Sequence, residues 1–382
     1  MSKLMFYRIP KEIKGIPNPD WYSFRETGIS KEIADKYGMP PYVGGIGGSE
    51  ISSVIGCNSD AYRHAAWLFN LKTGNIIHED EMNENMFWGL IDEDNIAEMW
   101  KYAGQEDGSY VKNYMDRKQL RNCHKVNSYA VNPKHKWLFA SVDRLIDKGQ
   151  PRLDTGEILK NGAILEIKHL NNFVIAKFDD GIPIDYKLQV ILYMIVYEMD
   201  YAEFAIRSGK NLRIHIIEKD KEIEERILDI SYGFWHNRVL KGREVLAEMN
   251  QYLLNNDREN YEKYKAFYHR LEPLPDETDA YKAFMKEIYR REITECIGTE
   301  DDKALAEKYK YWGEVSKEVE KKKQECANML KNSHYKNACE YITFGNKAYS
   351  RYYENSRKTM MLDVKLPDLE IDMEEIKSKI DG

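Results

Sequence analysis

The sequence predicts an α/β fold that continues into a helical C-terminal extension. Residues 1 to about 235 mix helical and strand patterns, whereas later stretches place apolar residues at helical spacing between charges. A chain of 382 residues with 42% hydrophobic residues can bury one large core or two modest ones. We therefore predict one domain over 1–235 and a helical arm and tail over 236–382.

Several broad classes of protein are disfavoured by composition. No apolar run approaches the roughly 18 residues needed to cross a bilayer, and the N-terminus lacks the apolar stretch of a signal peptide, so we expect a cytosolic protein without a membrane partner. The five cysteines are widely spaced and form no C-x-x-C pair, which favours reduced thiols over a zinc ribbon. The net charge of −7 does not indicate nucleic-acid binding, although carboxylates can hold a divalent metal beside DNA.

The candidate catalytic residues lie on two predicted strands. The segment HKWLFASVDRLID (135–147) alternates as a half-buried strand, and GAILEIKHL (162–170) forms a second strand after a turn at Asn161-Gly162. Because side chains at i and i+2 share a face, Glu166 and Lys168 project together. A hairpin or another pairing of the two strands as neighbours would place Asp143 beside Glu166. A buried charge pair costs desolvation energy, so this arrangement indicates a functional site.

Neighbouring carboxylates predict a metal site. Asp143 and Glu166 would repel each other unless a cation lay between them. Mg²⁺ prefers such hard oxygen ligands, and the carbonyl of Ile167 is a further candidate ligand. Lys168 would orient or help to deprotonate a metal-bound water. We therefore expect phosphodiester hydrolysis with Mg²⁺, or Mn²⁺ as the alternative, and two ions in the site.

Two predicted helices flank this site. Residues 87–102 form a helix in which Glu93 follows Gly89 by four residues and is a further candidate metal ligand. Residues 185–199 form an apolar helix in which Gln189 and Tyr193 share a face. A polar glutamine in so apolar a helix needs a partner, and a substrate phosphate or a metal-bound water would serve.

Asp143 followed by Glu166-x-Lys168 resembles the PD-(D/E)XK nuclease signature, with Val142 in place of the proline. With Gly89-x-x-x-Glu93 before it and Gln189-x-x-x-Tyr193 after it, the order resembles the lambda exonuclease and YqaJ recombinase family. The resemblance covers residues 20 to about 230. It implies a restriction-endonuclease-like core with a mixed central sheet flanked by helices.

The N-terminal part is also similar to that family. WYSFRETGIS and the later GGIGGSEISSVIG place Arg25 and Ser49 at positions that the resemblance assigns to the 5′ phosphate of a DNA end, and Ser141 matches a third such position. An insertion, KEIADKYGMPPYV, separates the first two. Free N–H groups at Gly48-Ser49 and a bidentate Arg25 would suit an anion.

The resemblance implies a metal-dependent exonuclease that digests one strand of linear duplex DNA from its 5′ end. The 3′ overhang would serve a single-strand annealing protein of the RecT or Bet type in phage-type recombination. Some relatives form a trimeric ring around DNA, so a homo-oligomer is an expected partner state.

Three alternatives stay open at this stage. They are a restriction-type endonuclease, a CRISPR-associated exonuclease whose four cysteines hold an iron–sulfur cluster, and a non-catalytic DNA-binding protein on the same scaffold. The tail ITFGNKAYSRYYENSRKT predicts either a nucleic-acid contact or a short strand pair that packs on the arm.

Overall fold

The computed structural model describes residues 3–13, 16–57, 63–77, 84–106, 109–112, 114–115, 118–170, 172–179, 181–209, 211–288, 297–344, 349–355 and 358–365. The chain forms two compact units, Met1–Tyr289 and Arg290–Gly382. This division lies later than the boundary placed after residue 235 from the sequence. The reason is that helices following that point contribute Val245, Leu246 and Tyr268 to the core of the first unit.

The helices of the first unit are α1 (Pro19–Glu26), α2 (Lys31–Tyr37), α3 (Ile51–Ile55), α4 (Ala65–Thr73), α5 (Glu84–Lys101), α6 (Asn172–Ile175), α7 (Ile184–Tyr197), α8 (Lys221–Tyr232), α9 (Leu240–Leu254), α10 (Arg258–Leu271) and α11 (Asp279–Ile288). Short 3₁₀ turns at Gly48–Glu50 and Ala176–Phe178 and a π-helical stretch at Gly233–Val239 join some of them.

The strands of this unit are β1 (Met5–Tyr7), β2 (Glu12–Ile13), β3 (Ile16–Pro17), β4 (Ile46–Gly47), β5 (Ala103–Glu106), β6 (Ser109–Lys112), β7 (Cys123–Lys125), β8 (Tyr129–Val131), β9 (Leu138–Ala140), β10 (Arg144–Ile146), β11 (Ala163–His169), β12 (Tyr201–Ser208) and β13 (Asn211–Glu218).

A mixed five-stranded sheet in the order β13-β12-β11-β10-β7 carries the predicted site. Strands β11 and β12 are parallel, and the other pairings are antiparallel. A second sheet has the order β1-β8-β9-β4, with β4 and β9 parallel. The apolar helix α7 packs in one core with Ile164 and Phe204, while α5 packs with Leu165 and Ala205 in another. Alternate residues of β11 and β12 thus face different helices.

Most of the elements predicted near the site are confirmed. Helices α5 and α7 and strand β11 lie within a few residues of their expected bounds, and β10 pairs with β11 as a hairpin. The single strand expected over 135–147 is wrong. The chain leaves the four-stranded sheet after Ala140 and enters the five-stranded sheet at Arg144, because β9 pairs with β8 and β4 whereas β10 pairs with β7 and β11.

The second unit contains the long helix α12 (Glu300–Lys336) and the antiparallel strands β14 (Tyr341–Thr343), β15 (Tyr349–Glu354) and β16 (Met360–Lys365). His334 of α12 lies 2.8 Å from the hydroxyl of the buried Ser350, so β15 packs on the helix. The expected strand packing is therefore observed, while a nucleic-acid contact by this tail stays a prediction. Lys347 and Arg357 lie outside the described residues.

None of the helices in the described part of the chain has the length and apolarity required to cross a bilayer. Cys57, Cys123, Cys326 and Cys339 are free thiols, and Cys296 lies outside the described residues.

Candidate active site

The hairpin between β10 and β11 brings Asp143 and Glu166 together. Arg144 of β10 pairs with Leu165 of β11. Asp143, which directly precedes β10, therefore lies opposite Glu166, the next residue of β11. An Oδ2 atom of Asp143 accepts a hydrogen bond from the backbone N–H of Ile167 at 2.8 Å. The charge of the neighbouring Asp143 contributes to raising the pKa of Glu166. The sequence thus correctly placed these two carboxylates side by side.

Glu166 is almost completely buried and is unevenly hydrogen-bonded. Its Oε1 accepts from Lys168 Nζ at 2.5 Å and from Gln189 Nε2 at 2.8 Å. The same amide also donates to the hydroxyl of Tyr193 at 3.0 Å. In contrast, Oε2 of Glu166 is buried and has no hydrogen-bond partner among the described residues. An unpaired buried carboxylate oxygen is costly and points towards a missing positive charge.

Burial and mutual repulsion shift the charges of this cluster. Burial and then the neighbouring Asp143 raise the pKa of Glu166 to about 8. Burial also raises the pKa of Asp143, against the opposing effect of Lys168. For Lys168, burial acts to lower the pKa, but Glu166 and Asp143 outweigh it and raise the pKa above the usual range. Lys168 is therefore held positively charged, which favours charge stabilisation over a role as a base.

The structure does not place Glu93 directly with the other two carboxylates. Its Oε1 forms an ion pair with Arg144, and Lys125 Nζ lies 3.4 Å away. Arg144 also pairs with Asp94 and donates to the carbonyl of Asp143 at 2.6 Å. The buried guanidinium thus lies between the helix acids and Asp143. Glu93 is nevertheless close enough for its charge to raise the pKa of Asp143.

The acids beside Glu93 have separate partners. Asp92 lies 2.8 Å from Nδ1 of His169 and 3.1 Å from Arg207. These pairs tie the first half of α5 to the ends of β11 and β12. Asp92 is therefore a structural acid in this arrangement, and Glu93 faces the site.

Ser49 and Ser141 follow the ends of two adjacent parallel strands. Gly47 pairs with Phe139, and each serine lies two residues further along its own strand. Both serines are exposed. The intervening Gly48 packs closely on α7, since a Cβ there would lie 2.3 Å from the ring of Tyr193. The two predicted phosphate-binding serines therefore lie near the Gln189–Tyr193 face.

Arg25 is connected to the Ser49 turn through a buried lysine. Lys72 Nζ donates to the backbone carbonyl of Arg25 and lies 2.8 Å from Glu50. Glu50 in turn accepts from the N–H of Gly47 at 2.7 Å. Lys72 is completely buried, so the α1 end and the glycine-rich turn are held together by an internal ion pair. The long insertion does not separate these two regions in space.

Part of the predicted ligand set is suitably placed to hold a divalent cation. The orphaned Oε2 of Glu166, the adjacent Asp143 and the backbone at Ile167 offer hard oxygen donors at one place. Within the part of the chain that the structure describes, no three His, Cys, Asp or Glu side chains converge as a ready-made metal site. Glu93 would join the set only by exchanging its contact with Arg144.

A family comparison agrees with this geometry. Residues 20–201 match the model of the YqaJ-like viral recombinase domain. The chain is therefore similar to that domain over these residues. The matched range begins just before Arg25 and ends after Tyr193, so it contains every residue of the predicted site. The expected α/β core is confirmed, with its mixed sheet flanked by α5 and α7.

Two solved structures of exonucleases are similar to this chain. An alkaline exonuclease, LHK-Exo, from Laribacter hongkongensis has 15% identity and a TM-score of 0.41, with 55% of this chain and 94% of that chain covered. A phage-related exonuclease from Haemophilus somnus 129PT has 12% identity and a TM-score of 0.31, with coverages of 49% and 90%. No curated protein matches the sequence.

Two residues around this site were missed from the sequence. Arg144 directly follows a catalytic candidate, and a charge inside a predicted core strand was the available signal. Lys72 lies in the apolar stretch AAWLFNLKTG, where a buried lysine needs a partner. Neither partner, Glu93 or Glu50, could be identified without the fold.

Proposed function

We propose that this chain is a divalent-metal-dependent DNA exonuclease, with linear duplex DNA as its substrate and phage-type recombination as its setting. The match of residues 20–201 to a viral recombinase domain supports a nuclease of the phage exonuclease type. The observation that carries the proposal is the unpaired Oε2 of Glu166, buried beside Asp143 and Lys168.

The proposed ligands are Asp143, Glu166 and the carbonyl of Ile167, with Glu93 completing the set after release from Arg144. A bound Mg²⁺ or Mn²⁺ would supply Lewis-acid activation of water and of the scissile phosphate, and we expect two ions. The protonated Lys168 would stabilise negative charge that develops on the phosphate.

Gln189 and Tyr193 keep Glu166 in position. The amide of Gln189 holds Oε1 of Glu166, and its second contact with the Tyr193 hydroxyl fixes its orientation. Tyr193 stays neutral, since burial and the negative charge of Glu166 raise its pKa. These contacts therefore fix the orientation of the Glu166 carboxylate and of its unpaired Oε2. A preorganised ligand of this kind lowers the cost of assembling the reactive geometry.

We further propose digestion from the 5′ end, which leaves 3′ overhangs for an annealing protein. The support is the position of Ser49 and Ser141 at adjacent strand ends, near Arg25 and the Glu166 face. A cluster of hydroxyl, guanidinium and free N–H groups suits a terminal phosphate. A ring-shaped trimer stays a prediction from the resemblance.

The test uses linear duplex DNA labelled on one strand at either the 5′ or the 3′ end, with a closed circular duplex alongside. In Mg²⁺, wild type is expected to release the 5′ label at once as a mononucleotide and to shorten the 3′-labelled strand progressively. Lys168→Ala should lower the rate by about 10²-fold or more, because it removes a charge aimed at the reacting phosphate.

The matched control is Lys134→Ala, since Lys134 is exposed and pairs with Glu198 at the surface. Its rate should equal that of wild type. Nicking of the closed circular duplex would indicate an endonuclease instead of an exonuclease. Absence of cleavage in both Mg²⁺ and Mn²⁺ would contradict the proposal and favour a non-catalytic DNA-binding role.

A further inference from the structure

The three-stranded sheet of the second unit has two faces that differ in their surroundings. The hydroxyl of Ser350 lies 2.8 Å from Nε2 of His334, and the ring of Tyr352 lies 6.2 Å from that of the same histidine. These two residues of β15 therefore face α12. Because side chains alternate along a strand, Arg351 and Tyr353 point to the other side of the sheet, which we call the outer face.

A column of aromatic rings and one guanidinium crosses the outer face. Tyr341 of β14 lies directly opposite Arg351 of β15. The guanidinium of Arg351 lies 3.8 Å from the ring centroid of Tyr353 and 5.0 Å from that of Tyr341. The ring of Tyr349 lies 5.7 Å from that of Tyr341 and extends the column. Three rings and a planar cation are thus gathered on one side of a small sheet.

This column is accessible from solvent. Tyr341 is 49% exposed, and Tyr349 and Tyr353 are half-buried. Met361, which lies opposite Tyr353 on β16, is also exposed. Beside the end of α12, an open groove of about 700 Å³ is lined by Arg351 and Tyr353 among others. A planar ligand can therefore reach the rings.

The charge of this segment favours a polyanion. Residues 341–365 contain five lysines and arginines against two acids, whereas the whole chain has 57 basic and 64 acidic residues. Lys365 at the end of β16 is exposed and lies opposite Tyr349, so it belongs to the outer face. Aromatic rings combined with cations are the usual means by which proteins hold unpaired nucleotides.

Two acids also lie at this face. Asp363 is opposite Arg351 and accepts from the hydroxyl of Tyr349 at 3.3 Å. Glu340 lies 2.6 Å from Nε of Arg351, and both side chains are substantially exposed. An exposed ion pair of this kind contributes little free energy, so a phosphate can replace Glu340 as the partner of Arg351. The rings need no net charge to stack with bases.

We propose that the outer face binds single-stranded DNA, with unpaired bases stacked on Tyr341 and Tyr353 and with phosphates held by Arg351 and Lys365. This inference rests on the proposed function for its choice of ligand, because digestion of one strand of a duplex leaves the other unpaired. Every base has a π-face, so the surface binds without sequence preference. The bases of an intact duplex are already stacked on each other and offer no such contact.

The experiment measures fluorescence anisotropy of a labelled thymidine homopolymer of about 16 nucleotides, the upper end of an ordinary binding site. The full chain is used in EDTA, so that no metal-dependent cleavage occurs, and a blunt duplex of equal length is measured alongside. Tyr341→Leu and Tyr353→Leu should each weaken single-strand binding about tenfold, the effect of losing one stacked base. Binding of the duplex should be unchanged.

Two kinds of control separate stacking from general damage. Tyr341→Phe and Tyr353→Phe keep the ring and should bind the single strand like wild type. Tyr309 is 84% exposed on α12 of the same unit. Tyr309→Leu therefore removes an exposed ring away from the sheet, and its binding of both probes should equal that of wild type.

The outcomes distinguish this inference from its alternatives. Unchanged single-strand binding by both leucine variants would overturn it, and so would equal weakening by the leucine and phenylalanine variants. Equal losses on the single strand and the duplex would also contradict it, since they would indicate attraction to phosphate without stacking. If the leucine variants instead lose self-association in sedimentation while single-strand binding is unchanged, the outer face is a protein interface.

Wild type must also bind the single strand, and failure to do so would overturn the inference. Cleavage of linear duplex DNA by wild type in Mg²⁺ tests the proposed function separately. Cleavage without single-strand binding would therefore remove the inference alone, whereas absence of cleavage would remove the proposed function.

Discussion

Two buried glutamates on adjacent strands of the central sheet differ in one decisive respect. Glu166 on β11 and Glu203 on β12 are both within 1% of complete burial. The strands are parallel, with Glu203 opposite Leu165 and Glu166 opposite Phe204, so the two carboxylates face opposite sides of the sheet. One side carries α7 and the other carries α5.

Glu203 has a partner for each oxygen. Its Oε1 accepts from Arg121 at 2.5 Å and from the Tyr201 hydroxyl at 2.9 Å, and its Oε2 accepts from Trp100 Nε1 at 2.7 Å. The guanidinium of Arg121 also lies 4.0 Å from the ring centroid of Trp100. The protein itself therefore neutralises the charge of the Glu203 carboxylate and supplies hydrogen-bond donors to both of its oxygens.

Glu166 is compensated at one oxygen only. Lys168 and Gln189 both bind Oε1, and the nearest charge beyond them is the like charge of Asp143. Burial alone therefore does not identify a functional carboxylate, since Glu203 is equally buried. The unsatisfied oxygen and the second acid distinguish the site that is prepared for a cation.

The largest expected difference is in stability. Glu203→Gln should lower the free energy of unfolding by about 3 kcal/mol or more, because Arg121 would be left as an unpaired buried charge. In a unit of this size the melting temperature should fall by at least about 5 °C. Glu166→Gln, measured without metal at pH 8, should cause no comparable loss, since it removes a poorly compensated charge. Equal losses of stability for the two variants, measured by thermal denaturation, would contradict this difference between Glu203 and Glu166.

A smaller effect concerns pH. The pKa of Glu166 in the folded chain is about 8, above its ordinary value of 4.5, so the folded state keeps a proton that the unfolded chain releases. The free energy of unfolding of the metal-free protein should therefore fall as pH rises from about 5 to about 8. The Asp143 carboxyl, whose pKa is also raised, acts in the same direction.

Thermal denaturation in EDTA across this pH range checks the sign. The glutamine of the Glu166→Gln variant has no carboxyl group to titrate. The melting temperature of this variant should therefore rise relative to that of wild type as pH increases. A difference between the two proteins that stays constant from pH 5 to pH 8 would show that Glu166 is ionised throughout.

Local sequence patterns predicted much of this site because its parts lie on regular elements. The period-two alternation of β11 put Glu166 and Lys168 on one face, and the turn at Asn161-Gly162 marked the start of β11, whose pairing with β10 brings Asp143 beside them. The turn requires glycine, since Gly162 has φ = +78° and a Cβ there would lie 2.5 Å from the carbonyl of Ile146. Such short-range constraints can be read directly from the chain.

Long-range pairings could not be predicted in this way. The ion pairs of Arg144 with Glu93 and of Lys72 with Glu50 join segments that are far apart in sequence. Lys11 is also distant in sequence from the site, yet it lies within range of the charges of Glu93 and Asp143. The boundary placed after residue 235 differs from the division after Tyr289 for the same reason, since helical periodicity does not reveal that α9 packs on the core of the first unit.

Metal binding tests the central claim most directly. Isothermal titration with Mn²⁺ at pH 7 compares wild type, Glu166→Gln and the control Asp92→Asn, whose acid pairs with His169 and Arg207 instead. Wild type and Asp92→Asn should bind with similar affinity and release protons, because the cation displaces the proton that Glu166 holds. Glu166→Gln should bind at least about tenfold more weakly. Equal affinity of Glu166→Gln and wild type, or no binding by wild type, would contradict the account.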